Sequence, residues 1–197
     1  MNIHDEFYNH LGTLSDKNEL QTAYGRYKES SFELNGRLKS GLPLGDLLEL
    51  NSQLQKTICA KSNCEVVLYR MTSRTEFTGS ILDVLEGKIF TYSAYMSTSR
   101  SPEKIHSFTP KYDPVVLEIT CPTGTTMALM EAKQGANEDE YLLGCGTKFK
   151  IGIPSQPSTA TEYTGLRSYN GVLTILPLTV VRNPPYATNS INFFPFS

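Results

Sequence analysis

Residues 58–70 read ICAKSNCEVVLYR, and the chain changes texture inside this stretch. Upstream, apolar side chains recur at helical spacing and β-branched runs are scarce; downstream, short β-prone runs follow one another. In SDKNELQTAYGRYKES (15–30), Leu20, Tyr24 and Tyr27 share a helix face, with Ser15 or Asp16 as the N-cap. After Pro43, a second stripe runs through Leu47, Leu50 or Asn51, Leu54 and Ile58. The strands expected after it are EVVLY (65–69), IFTYSAYM (89–96), PVVLEIT (114–120), EYLLG (140–144), TKFKIG (147–152) and GVLTILPLTVV (171–181). Among these only EFTGSILDVLEG (76–87) resembles a helix. Helices followed by strands predict an α+β fold, not an alternating doubly wound sheet.

A chain of 197 residues that is 39% hydrophobic suffices for one well-cored domain and is short for two. The division expected is a helical portion over 1–62, a β-rich core over 63–182 and a tail over 183–197. Residues 154–170, rich in Pro, Ser and Thr, read as a connecting loop. A net charge of -2 supplies no basic field, which disfavours a nucleic-acid or anionic-lipid partner. The N-terminus has no signal-peptide pattern, and no run of about 18 apolar residues occurs, so the chain reads as soluble. Cys59, Cys64, Cys121 and Cys145 read as free buried thiols. His4, His10 and His106 are scattered, and no metal-ligand spacing is present, so no metal is expected.

Three motifs carry possible chemistry. Arg70 follows an apolar strand directly, so its planar fork is expected at a strand end, facing a cleft, where it suits a pyrophosphate. Most such arginines are merely salt-bridged or solvated. YSAYMSTSRS (92–101) presents Ser97, Thr98 and Ser99 in a row, either as solvated strand-end residues or as aimed hydrogen-bond groups. If the strands ending in Arg70 and in this triplet are neighbours, Ser97 can hold another side chain. In NEDEYLL (137–143), Glu138 and Glu140 are two apart and would share one face of a strand. Such like charges are either a solvated acidic turn or two carboxylates with separate tasks.

In this order, the motifs resemble the mono-ADP-ribosyltransferases of the arginine–serine–glutamate type found among bacterial toxins and effectors. LYRMTSRTEF (68–77) is similar to that family's aromatic–arginine strand, and YMSTSRSPEKIHSF (95–108) to its S-T-S strand with the following phenylalanine. PVVLEITCPTG (114–124) resembles the next strand and turn, and EDEYLLGCGTKFKI (138–151) the E-x-E strand and its successor. The resemblance implies an ADP-ribosyltransferase fold, with N-terminal helices packed on a two-sheet, mostly antiparallel β core. It implies NAD as substrate, with Tyr69 and Arg70 on the NAD-binding strand and Arg70 on the phosphates. Ser97 would orient the catalytic Glu140, with Thr98 and Ser99 in support. Arg70 and the loop from Arg100 to Asp113 would grip the dinucleotide. Phe108 would pack on nicotinamide, or be an ordinary core residue. Glu138 would engage the acceptor, and a glutamate there favours arginine.

The implied activity is transfer of ADP-ribose from NAD to a host protein, by a monomer delivered into the host cytosol by a specialised secretion machine. Action in the bacterial cytoplasm is the alternative compartment. NAD hydrolysis, transfer to threonine or asparagine, and a catalytically dead binding module are the alternative activities. MEAKQGANEDE (130–140) lacks the aromatic with which some relatives choose substrates, which leaves the target open. Phe193, Phe194 and Phe196 in the tail either staple the terminus to the core or form a partner site.

Overall fold

The computed structural model describes residues 17–58, 60–76, 86–129, 139–157 and 161–183. The helix α1 spans Lys17–Ser40 and buries Ala23, Tyr24, Tyr27 and Leu34 along one face. It stops at Gly41, whose φ of 64° is free of Cβ strain only for glycine. There the Leu42 N–H donates to Arg37 O (2.9 Å) and the Gly41 N–H to Leu38 O (3.4 Å), a Schellman closure that satisfies two end carbonyls. A 3₁₀ turn, Gly45–Leu47, leads into α2, Leu48–Thr57. The expected stripe of Leu47, Leu50, Asn51, Leu54 and Ile58 is buried in full. Ser15, Asp16, most of 76–87, Cys59, Glu138 and the tail phenylalanines lie outside the described residues.

The strands are β1 (Ala60–Lys61), β2 (Val66–Ser73), β3 (Ile89–Tyr92), β4 (Met96–Ser99) and β5 (Pro114–Cys121). They continue as β6 (Thr126–Leu129), β7 (Glu140–Leu143), β8 (Thr147–Ile151) and β9 (Thr174–Arg182). Their order is β1-β6-β7-β4-β2-β5-β9-β8-β3. Every neighbouring pair is antiparallel except β5 and β9. The α+β architecture therefore stands, with one refinement. The two expected sheets are halves of one hydrogen-bonded order, joined between β2 and β4 at the single pair Tyr69↔Ser99. Helices and both halves share one core, in which Leu34, Leu54, Leu68, Ile119, Leu142 and Phe149 are fully buried.

Three expectations are corrected. IFTYSAYM is not one strand: β3 lies at the far edge, and the chain crosses through the buried Ala94 and Tyr95 to enter β4 between β7 and β2. The Tyr95 N–H donates to Asn35 Oδ1 of α1 (3.0 Å), so a helix side chain takes the bond that a continuing strand would need. The loop 154–170 contains a short helix, α3 (Thr161–Thr164), whose Tyr163 and Thr164 are buried. Of the described cysteines only Cys121 is buried, and burial pushes its thiol up to about 12; Cys64 is exposed and Cys145 half-buried.

Candidate active site

A cleft of about 590 Å³ opens at the joint between the two halves of the sheet, walled on its other side by α1. That size suits a small-molecule site, for which about 300–1,000 Å³ is usual. Its floor comes from β2, β4 and β7, the three strands that meet at the joint and supply Tyr69, Arg70, Ser97, Ser99 and Glu140.

Ser99 faces Glu140 across the β4–β7 ladder, and Ser97 sits two residues along, on the same face as Ser99. This diagonal lets the Ser97 hydroxyl donate to Glu140 Oε1. Glu140 is buried in spite of its charge, and its other oxygen, Oε2, lies 2.7 Å from Lys28 Nζ of α1. That contact is a charge pair without the alignment of a hydrogen bond. Thr98, whose hydroxyl donates to Tyr141 O (2.7 Å), lines the cleft with Ser97 and Ser99, while Ser99 Oγ closes a turn by accepting from the Ser101 N–H (3.1 Å).

Arg70 is not at a strand end, since β2 runs three residues further. It still lines the cleft, its side chain 24% exposed, and is gripped from two sides. Its Nη1 donates to Ser97 O (2.9 Å), and its Nη2 to both oxygens of Glu76 (3.2 and 3.4 Å). Nε is buried without a hydrogen-bond partner. Burial works against the guanidinium charge, but Glu76, then Tyr92 and Tyr27, outweigh it and hold the arginine's pKa above its ordinary value. For Glu76 burial alone would raise the carboxyl. Arg70, Thr72, Tyr92 and Lys39 overcome it and bring the group down to about 2. Tyr92 OH donates to Glu76 at 2.5 Å, and Lys39 Nζ at 2.9 Å.

Tyr69 lines the cleft with its ring 6.4 Å from that of Tyr163, and burial, then Glu118 and Glu162, raise its phenol. Tyr27 forms an edge contact with Tyr95 (5.8 Å), and burial pushes its hydroxyl up to about 12. The segment after β4 is a 3₁₀ helix, Pro102–Phe108, not an open loop. It brings Lys104, Ile105 and Phe108 to the rim, and Phe108 is 56% exposed, which excludes the core reading. Arg100 is exposed and does not line the cleft. The β7 strand begins at Glu140, and Asp139 before it has a φ of 48°.

Sequence reasoning missed Glu76, Lys28, Asn35 and Lys39. Glu76 had a signal available, a carboxylate six residues after the arginine. Lys28, Asn35 and Lys39 follow one another at spacings of seven and four, a polar helix-face pattern distinct from the apolar stripe of that helix. Among the described residues no cluster of three or more His, Cys, Asp or Glu could hold a metal ion, and no helix is long and apolar enough to cross a membrane.

The sequence model of a family described as ADP-ribosyltransferase exoenzyme matches residues 6–171. No curated protein matches the chain as a relative. Among solved structures, Plx2a, an ADP-ribosyltransferase toxin from Paenibacillus larvae, superposes with a TM-score of 0.70 at 18% identity, over 91% of this chain and 92% of that one. C3stau2 from S. aureus, solved with NAD, gives 0.70 at 16% identity, over 91% and 94%. Exoenzyme S from Pseudomonas aeruginosa, solved with human 14-3-3 protein beta and Carba-NAD, gives 0.64 at 18%, over 96% and 88%. At such identities the likeness is one of fold.

Proposed function

This chain belongs to the ADP-ribosyltransferase exoenzyme family and is an NAD-dependent mono-ADP-ribosyltransferase, and we propose that it moves ADP-ribose from NAD to an arginine side chain of a host protein. The observation that carries this reading is the Ser97 hydroxyl bonded to the buried Glu140 carboxylate, beside the Arg70 guanidinium in one cleft. Breaking the bond between nicotinamide and ribose develops positive charge on the sugar, as in glycoside hydrolysis. A carboxylate held in place before the reaction stabilises that charge without reorganising. In this reading Glu140 supplies it, and Ser97 fixes its rotamer.

Arg70 binds the phosphates; its fork is already oriented by Ser97 O and Glu76, which lowers the ordering cost of gripping a dinucleotide. Phe108 offers an apolar face to nicotinamide at the rim. Glu138 engages the acceptor, and its being a glutamate supports arginine. The protein acts in the host cytosol after delivery by a specialised secretion machine.

Labelled NAD incubated with eukaryotic lysate and the purified chain tests the reading. The expected result is a labelled protein whose modified residue is an arginine, and in Glu138→Gln loss of that label with nicotinamide release largely kept. NAD consumed with no labelled protein would make the chain a glycohydrolase. Label retained in Glu138→Gln would point to threonine or asparagine as acceptor. Neither label nor NAD consumption would leave a binding module.

A further inference from the structure

Glu140 is engaged on both oxygens by groups of different mobility. The Ser97 hydroxyl comes from the same sheet and is fixed by the β4–β7 ladder. The Lys28 ammonium, 2.7 Å from Oε2, comes from α1 on the opposite wall, and its side chain is 31% exposed against 9% for Glu140. A lysine is a compact charge on a flexible four-carbon stem, whereas Arg70 is a fixed fork. The Lys28 stem can therefore swing towards a second anion in the cleft while the Arg70 fork keeps its orientation.

Its present position opposes the proposed chemistry. A carboxylate stabilises a developing positive charge only to the extent that its own charge is uncompensated, and an ammonium in direct contact compensates it. A ligand bearing phosphates in this cleft offers Lys28 a competing anion. We propose that Lys28 is a positioning residue that latches Glu140 in the free enzyme and is drawn onto the phosphates of the arriving dinucleotide, freeing the carboxylate only for a phosphate-bearing substrate. This rests on the reading of Glu140 as the catalytic carboxylate. It adds a specificity step: the enzyme discriminates against phosphate-free nicotinamide glycosides by keeping the carboxylate neutralised, not only by lacking contacts to them.

The test compares nicotinamide release from NAD and from nicotinamide riboside in wild type, Lys28→Met, Lys28→Gln, Lys28→Arg and Glu140→Gln. Both neutral variants should move the two substrates in opposite directions. For NAD, kcat/KM should fall about tenfold, mostly through KM; for the riboside it should rise by a similar factor, each being the size of one charge-assisted contact. Lys28→Arg should stay near wild type in the ratio of the two. If riboside turnover is below detection in wild type, its appearance in Lys28→Met supports the latch. Its continued absence overturns it, as do parallel losses on both substrates or no change on either. Wild-type release by Glu140→Gln would instead overturn the underlying reading, so the two failures are distinguishable.

Discussion

Glu76 shows how much of this site depends on one carboxylate besides Glu140. It gathers the Arg70 guanidinium, the Lys39 ammonium and the hydroxyls of Thr72 and Tyr92. A carboxyl brought from an ordinary 4.5 to about 2 binds its proton more weakly in the folded state than in the unfolded one. The stability it contributes is complete above about pH 4.5 and is lost as pH falls towards 2, with a full value of about 3 kcal/mol. Glu76→Gln should therefore be less stable than wild type at pH 7, the more so because Arg70 loses its carboxylate partner. Urea unfolding at pH 7, 4 and 2.5 checks this: the gap between wild type and variant should narrow across that window. A gap constant with pH would contradict the assignment.

At the scale of elements, the helix-to-sheet transition was legible because its cause is local: the apolar period changes within a few residues of Cys59. β5, β7 and β8 were legible for the same reason, each being a short apolar run between turns. What escaped was decided by distant contacts. Residues 89–96 have the composition of one strand, yet Asn35 takes the Tyr95 N–H, and Tyr95 OH donates to both Asn51 O (3.1 Å) and Asn51 Oδ1 (2.8 Å) of α2. No local pattern in 89–96 encodes partners 44 and 60 residues away. The short β6 strand escaped because Thr126–Leu129 holds no alternating or β-branched run; its pairing with β7 makes it a strand. The Tyr95 crossing ties both helices to the corner between β3 and β4. Tyr95→Phe should cost about 1–3 kcal/mol in chemical denaturation by stripping a donor from buried acceptors. Neither Tyr95 nor Asn51 lines the cleft, so activity per folded molecule should be unchanged. A loss of activity without a loss of stability would show that the crossing shapes the site directly.

For the whole molecule, the cleft lies where the sheet is least continuous. One residue pair joins the two halves, and Arg70, Ser97 and Glu140 come from the three strands that meet there. Those three were legible in the sequence because their order along the chain, each within its own strand pattern, is far more specific than any one of them. Lys28 was not, because it is brought in by α1 and has no chemistry until the sheet and α1 close around it. The division of labour in this assembly turns on one group. Nicotinamide release from NAD by purified wild type and Glu140→Gln, with NAD affinity measured in parallel by calorimetry, tests it most directly. The account predicts a fall in release of about 10² to 10⁴ with NAD still bound, the scale of losing a charge aimed at the transition state. Release by Glu140→Gln as fast as wild type would contradict it.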